Sequence, residues 1–440
     1  MREDELGQDT IAAIATPPGR GGIGVVRVSG PRAPEIARAV IGELPPPRYA
    51  AYRAFRDAHG EVIDRGLALF FAAPHSYTGE AVLELQGHGG PVVLQETLNA
   101  CLDAGARLAD PGEFTRRAFL RGRLDLAQAE AVADLIDAAS RQAARSAMRS
   151  LSGEFSAAIE QLRAGLVELR ALTEAMLDFP EEEVEPLHRA DAQAKLARIR
   201  SGVQEVLAKS RQGALLRRGV HIVLAGATNV GKSSLLNRLA GEDRAIVTPV
   251  PGTTRDALRE PVQIGGVPVT LVDTAGLRAS GDHIERLGME RTRREIAAAD
   301  LVLVVAEATT QPIDVAEAPA RAAQLVVFNK ADLHPGFVAP SGAVAVSART
   351  GAGLDELRAA VLESVGWSST AESPFLARER HLRALGACAE HLLRAAGQVE
   401  SWELFAEELR LAHDQLASIT GAFTSDDLLG EIFSRFCIGK

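Results

Sequence analysis

The chain has 440 residues, 46% hydrophobic and 24% charged, with a formal net charge of −10. That length allows two or three domains, because single cores seldom grow past about 250 residues. The acidic balance argues against non-specific coating of nucleic acid, which depends on Lys and Arg neutralising phosphates, while a local basic patch stays compatible with it. No apolar run reaches the roughly 18 to 20 residues that cross a bilayer, and the first residues are acidic where an export signal is basic. A cytoplasmic protein with no membrane partner is therefore expected. Cys101, Cys388 and Cys437 lack CxxC or Cys/His spacing, so neither a zinc site nor a disulfide framework is indicated.

Taken in chain order, residues 1–122 alternate short β-like runs with Gly/Pro punctuation. "IGVVRVSG", "LALFFAAP" and "AVLELQGHGG" read as strands and "PVVLQETLNACLDAG" as a helix, together a small α+β domain. From about 123 the apolar spacing changes to three and four, first in "LDLAQAEAVADLIDAAS" and then at Phe155, Ile159, Leu162, Leu166, Leu169, Leu172 and Met176. The acidic "DFPEEEVEP" interrupts this pattern. Leu196, Ile199, Val203, Val206 and Leu207 resume it on a helix expected to end near Gly213. Strands and helices then alternate to about 365, the rhythm of a parallel sheet flanked by helices. The remainder, 370–440, reads as helical. The expected architecture is an α/β domain (216–369) inserted into a discontinuous helical domain (123–215 and 370–440), since domain termini often lie close together.

The inserted segment carries nucleotide chemistry. Gly226-x-x-x-x-Gly231-Lys232-Ser233 follows the strand "HIVLA" and opens the helix "SSLLNRLA", the context of a P-loop. Backbone N–H groups across Asn229, Val230, Gly231, Lys232, Ser233 and Ser234 can hold phosphate oxygens, with Lys232 reaching the β/γ oxygens and Ser233 ligating Mg²⁺. Downstream, Asp273 ends an apolar strand and opens Asp273-Thr274-Ala275-Gly276, suited to the Mg²⁺ shell and the γ-phosphate. Asn329, Lys330 and Asp332 follow another strand. An Asp carboxylate accepts from the N1–H and the N2 amine of guanine, which adenine cannot supply, so GTP is favoured over ATP. Ser347, Ala348 and Arg349 end a further strand and suit a backbone contact to the guanine O6.

"TPVPGTTRD" (248–256) lies where a first switch loop belongs; Thr254 is the candidate second Mg²⁺ hydroxyl and Thr253 sits beside it. Leu277 follows Gly276 where many GTPases carry a water-aligning glutamine, so hydrolysis needs another device. An arginine finger is worth about 10³ to 10⁵ in rate, and a bound monovalent cation can supply similar charge. Asn229 is either a ligand for such an ion or a loop-stabilising amide, and the residues alone leave both open.

With these motifs placed, the chain resembles the MnmE (TrmE) family of tRNA-modification GTPases from end to end. "TPPGRGGIGVVRVSG", "YTGEAVLELQGHGG", "DPGEFTRRAFLRGRLDLAQAEAVADLIDA", the P-loop with "TPVPGTTRD", "DTAGLR" and the terminal "FCIGK" carry the resemblance. It implies an N-terminal domain that binds one-carbon tetrahydrofolate (5-formyl or 5,10-methylene), a homodimer through that domain, and G domains that pair across the nucleotide in the presence of K⁺. It further implies K⁺ ligation by Asn229, Thr248, Val250 (through its carbonyl) and Thr253, and indirect orientation of the attacking water by Glu285, which taken alone reads as a solvated carboxylate. For the folate pocket it implies Arg27, Glu84, Arg123 and Lys440, with Cys437 near the one-carbon unit. By themselves these read as surface charges, a strand residue and a frayed terminus. The implied function is GTP hydrolysis coupled, with the FAD- and NADH-dependent partner MnmG in a heterotetramer or larger assembly, to adding an aminomethyl or carboxymethylaminomethyl group at C5 of wobble uridine in certain tRNAs. Two other classes are weighed: a ribosome-assembly GTPase, which calls for an attached RNA-binding module such as a KH fold, and a structural dimer with a vestigial G domain, against which the complete motif set stands.

Overall fold

A computed structural model describes residues 9–178, 185–242, 259–273, 293–310, 312, 322–368, 375–398, 401–422, 426–434, 436 and 439. The chain divides into two compact units, Met1–Ala133 with Ala417–Lys440, and Asp134–Leu416. The fold is multi-domain, with an α+β part, a helical part and a mostly parallel sheet flanked by helices.

In the first unit a six-stranded sheet runs in the order β3 (Ala51–Arg56), β4 (Val62–Phe71), β5 (Val82–Gly89), β2 (Gly21–Ser29), β1 (Ile11–Ile14), β6 (Arg107–Leu108). Neighbours are antiparallel except β1 and β6. Along β2 the residues alternate: Gly24, Val26 and Val28 face the core while Val25 and Arg27 are half-buried, the period-two pattern of a sheet with one covered face. Helices α1 (Ala33–Ile41) and α2 (Pro91–Asp103) supply that cover through Ile36, Val40, Leu94 and Leu98. Gly24 is needed there, because a Cβ would lie 2.6 Å from the Leu94 side chain. A second cluster joins Phe119 of α3 (Glu113–Leu120) and Leu126 of α4 (Leu126–Ile136) to the carboxy-terminal Leu429, Ile432, Phe433 and Phe436.

In the second unit, α5 (Arg141–Leu151) is followed by two long helices, α6 (Glu154–Asp178) and α7 (Glu185–Arg218). They pack closely where Gly165 faces Ile199 and Gly202 faces Leu162. The expected stop near Gly213 is not found: α7 continues to Arg218. Gly213 serves packing, since a Cβ there would lie 1.6 Å from the Phe375 carbonyl oxygen. The turn falls instead at Gly219, whose φ of 69° is the left-handed value that favours glycine.

Next comes the second sheet, ordered β12 (Ala343–Ala345), β11 (Ala323–Asn329), β10 (Leu301–Glu307), β7 (Val220–Ala225), β9 (Val267–Asp273), β8 (Arg259–Ile264). All pairs are parallel but β8 with β9. Its central strands are nearly continuous apolar runs, "LVLVVA" in β10 and "IVLA" in β7, as strands covered on both faces require. Helices α8 (Lys232–Glu242) and α9 (Leu354–Ser364) cover it through Leu235, Leu239, Leu357 and Val361. A late helix returns to the earlier ones: α10 (Glu379–Ala396) packs along α7, and Phe155 of α6 contacts Phe375 and His381 at ring distances of 5.4 and 5.2 Å. Helices α11 (Trp402–Thr420) and α12 (Asp426–Ser434) complete the described chain.

Candidate functional site

Parallel strands deliver their carboxyl ends to one edge of the second sheet, and the motif residues collect there. The loop from β7 to α8 contains three positive-φ residues: Gly226 (156°), Asn229 (64°) and Gly231 (91°). A Cβ on Gly226 would meet the Val305 carbonyl oxygen at 2.2 Å, and one on Gly231 the Asn329 amide nitrogen at 2.3 Å. Both glycines let the loop pass tightly over β10 and β11, which turns its N–H groups and the start of α8 toward any anion placed there. Asn229 occupies the left-handed region that asparagine tolerates better than other side-chain-bearing residues.

Lys232 is 5% exposed, and its Nζ donates to the carbonyls of Gly226 (3.0 Å) and Ala227 (2.7 Å). Ser233, at the next position of α8, donates its hydroxyl to Asp273 Oδ2 at 2.5 Å. Two hard oxygen donors thus converge from different elements, the donor type that Mg²⁺ selects.

Asn329, 1% exposed, is a strut: its Nδ2 donates to the Val230 carbonyl (2.9 Å) and its Oδ1 accepts from the Ala348 N–H (3.0 Å). One side chain therefore ties the phosphate loop to the segment after β12. Ser347, fully buried, donates to Asp332 Oδ1 at 2.6 Å, and Arg349 lies 3.3 Å from the other carboxylate oxygen. That hydroxyl, ahead of Arg349, holds the Asp332 carboxyl below the usual range, so it is an acceptor at neutral pH. Lys330 has φ 62° and its Nζ reaches Glu307 Oε2 at 3.1 Å.

The structure thus gathers Asn229, Val230, Gly231, Lys232, Ser233, Ser234, Asp273, Asn329, Lys330, Asp332, Ser347, Ala348 and Arg349 at the carboxyl ends of four strands, β7, β9, β11 and β12. Thr248, Val250, Thr253, Thr254, Thr274, Ala275, Gly276 and Glu285 lie outside the described residues.

In the first unit Arg27 and Glu84 are direct cross-strand partners between β2 and β5, joined by Nε–Oε1 and Nη2–Oε1 contacts of 2.9 Å. The guanidinium lies over the rings of Tyr77 (5.6 Å) and Phe114 (5.8 Å) and donates to the Gly439 carbonyl at 3.3 Å. A carboxylate, a cation and two aromatic faces next to the carboxy-terminal segment can read a flat heteroaromatic amide. Arg123 is exposed, with its Cγ near Gly79. Cys437 and Lys440 lie outside the described residues.

Sequence reading missed an ion cluster in the same unit. Arg117, 2% exposed, donates to Asp9 (2.7 Å), Glu113 (2.9 Å) and Glu80 (3.2 Å). Arg107 contacts Asp9 and Glu113, each at 2.7 Å, and Arg121 contacts Glu80 at 2.8 Å. Burial pushes the Glu113 carboxyl up, but hydrogen bonds from Arg107, the Asp110 N–H and Arg117 outweigh it and hold it below the usual range; Asp9 is lowered in the same way by Arg107 and Arg117. The Glu113–Arg117 spacing of four was the one local signal available.

Comparison with known proteins supplies the remaining observations. A family model described as the GTP-binding protein TrmE N-terminus matches residues 10–123, and one described as the MnmE helical domain matches 126–437. The tRNA modification GTPase MnmE of Bordetella petrii is 58% identical over 445 residues, covering 98% of each chain. That of Azoarcus sp. is 58% identical over 443 residues with the same coverage. Among solved structures, the G domain of the T. maritima FeoB iron transporter aligns with 33% of this chain and 98% of its own at 25% identity, with a TM-score of 0.24, too low to argue from.

Proposed function

Because the chain belongs to the MnmE family of tRNA modification GTPases, we propose that it binds and hydrolyses GTP in the service of tRNA modification. The observation that supports this most is the convergence of Lys232, the Ser233–Asp273 pair and Asp332 on one strand edge. Each makes a contact that a nucleotide can replace. Lys232 exchanges two loop carbonyls for phosphate oxygens. Ser233 and Asp273 would hold a magnesium ion between them in place of their mutual hydrogen bond, and the ion would offset phosphate charge. Asp332, ionised and braced by Ser347, accepts from the guanine edge, while Asn329 keeps the base loop and the phosphate loop at fixed spacing.

The finer reading follows the family. Asn229, exposed in its left-handed position, offers an amide oxygen to K⁺ together with Thr248, Val250 and Thr253. The ion supplies the positive charge that an arginine finger gives elsewhere, and Glu285 orients water indirectly. Thr254 completes the magnesium site and Thr274 to Gly276 meet the γ-phosphate. Arg27, Glu84, Arg123 and Lys440 hold a one-carbon tetrahydrofolate, which supplies the carbon, and Cys437 stands beside it. Two chains pair through the amino-terminal domain, work with MnmG, and modify C5 of the wobble uridine in the cytoplasm. The division into an amino-terminal domain to 122, helical segments 123–215 and 370–440, and a G domain 216–369 belongs to the same proposal.

Mass spectrometry of wobble nucleosides from cells lacking the chain tests the reading. Loss of the modified uridines is expected, and an unchanged nucleoside profile overturns it. The ion assignment has its own test: phosphate release equally fast in Na⁺ and K⁺ sinks it.

A further inference from the structure

Helix α7 is a basic element in an acidic protein. Its 34 residues carry eight Lys or Arg and three Asp or Glu, an excess of five positive charges in a chain whose net charge is −10. Two of the cations, Lys195 and Lys209, are neutralised along the helix by Asp191 and Glu205. The arginines are arranged differently. Arg189, Arg200 and Arg211 recur every eleven residues, a spacing that returns to nearly the same side of an α-helix after three turns. Gln193 and Gln204, both exposed, repeat at the same interval between them, and Arg218 lies on the same side two turns beyond Arg211. The buried stripe of Leu196, Ile199, Val203 and Val206 adjoins this side, with Leu196 and Val203 next to a half-buried Arg200 on the helix surface, and the buried Leu207 lies between Arg200 and Arg211.

Among the described residues the guanidinium groups of Arg200 and Arg211 form no ion pair or hydrogen bond. Arg211 also lines a hollow of about 660 Å³ that it shares with Arg217, Arg218, Gln212, Gly366 and Glu379. Arg217 and Arg218 are held at its wall by Asp134 (2.9 Å) and Asp300 (2.8 Å).

At 1.5 Å rise per residue, successive arginines of the series are roughly 16 Å apart. No single small anion spans that distance, whereas a chain of phosphates meets several positions at once. We infer that this side of α7, from Arg189 to the hollow at Arg211 and Arg218, is a contact surface for the sugar-phosphate backbone of RNA. The inference rests on the tRNA reading above and gives that substrate a place on the chain. The contact is electrostatic and carries no sequence information, as phosphate contacts in general do not. The glutamine amides add hydrogen bonds to phosphate or ribose oxygens. Arg211 adjoins Gln212, which donates to the Gly366 carbonyl (2.7 Å) and accepts from the Ser368 N–H (2.9 Å). RNA held at Arg211 is therefore one residue from the bond that ties α7 to the segment leaving the nucleotide-binding sheet.

The test is binding of a labelled tRNA transcript to the full chain, measured by anisotropy across a KCl series. R200E/R211E is expected to weaken binding at least tenfold near 0.1 M salt. R200Q/R211Q, which keeps most of each stem and removes the charge, should lower the slope of log affinity against log salt by about two, roughly one for each phosphate no longer neutralised. GTP turnover without tRNA should stay at the native level in both, since neither residue is at the nucleotide site. A slope unchanged in the glutamine variant, or a native chain that holds no tRNA, overturns the inference. Unchanged tRNA binding with impaired capture of a protein partner also overturns it and gives the face to a protein. These failures are separate from failure of the functional proposal, which is read from nucleosides in cells lacking the chain.

Discussion

Lys232 in the strand-edge site and Arg117 in the first unit are both nearly buried cations, 5% and 2% exposed, yet the partners seen among the described residues differ in kind. Lys232 is held by two neutral carbonyls of its own loop, and Ser233 and Asp273 hold one another. Arg117 is held by three carboxylates, Glu113 one turn away and Asp9 and Glu80 distant in sequence; two of them Arg107 also contacts and one Arg121 contacts. A site that admits and releases a charged ligand keeps its cation on partners the ligand can displace at small cost. A cluster that fixes a fold neutralises charge with charge, where removing one partner strands the others.

The largest expected effect comes from Lys232→Ala. Phosphate release should fall by at least about 10²-fold, the scale of losing one preorganised donor to developing charge, with thermal stability nearly unchanged. Arg117→Met should do the reverse. Glu80, Glu113 and Asp9, left with only the more exposed Arg107 and Arg121, are expected to cost up to about 3 to 5 kcal/mol, the range for a broken buried ion pair, read by denaturant unfolding of the first unit, while GTP binding persists. If Arg117→Met removes GTP binding and spares stability, the contrast is wrong.

Asp332→Asn sharpens the comparison within the nucleotide site. The amide donates where the carboxylate accepted, so GTP affinity should fall by roughly 10² and a purine with a carbonyl at C2 should gain, measured by competition binding.

Acid titration should separate the two sites more gently. Asp9 and Glu113 have folded-state pKa values below their ordinary 3.8 and 4.5. Their contribution to stability is therefore complete above about pH 4.5 and is lost as the pH falls through the lowered folded values. Unfolding of the native chain should show this acid loss, and Arg117→Met should flatten it. The smallest effect concerns thiols. Burial pushes Cys101 and Cys388 up to about 12, so alkylation of the folded chain at pH 8 should leave both unmodified until denaturant is added.

How legible each region was follows from how its residues are connected. The phosphate loop, Asp273, and the Asn329 to Asp332 run were readable because each is a short contiguous string at the end of a strand, and parallel strands bring such ends to one edge. Arg27 and Glu84 were named only through family likeness; that they face one another comes from the β2–β5 register. The aromatic faces of Tyr77 and Phe114 beside Arg27 carried no local signal. Gly213 misled because glycine both ends helices and admits a neighbouring backbone, and only the position of Phe375 tells the two apart.

Local chemistry written in adjacent residues, the apolar periods, the glycine-bounded loop and the order of the motifs, was settled by the sequence alone. The Asn329 strut, the ion cluster around Arg117 and the full length of α7 were settled only by the folded chain. Each joins or aligns residues through pairings that spacing along the chain does not encode, because pairing across strands and packing between helices depend on register and close approach.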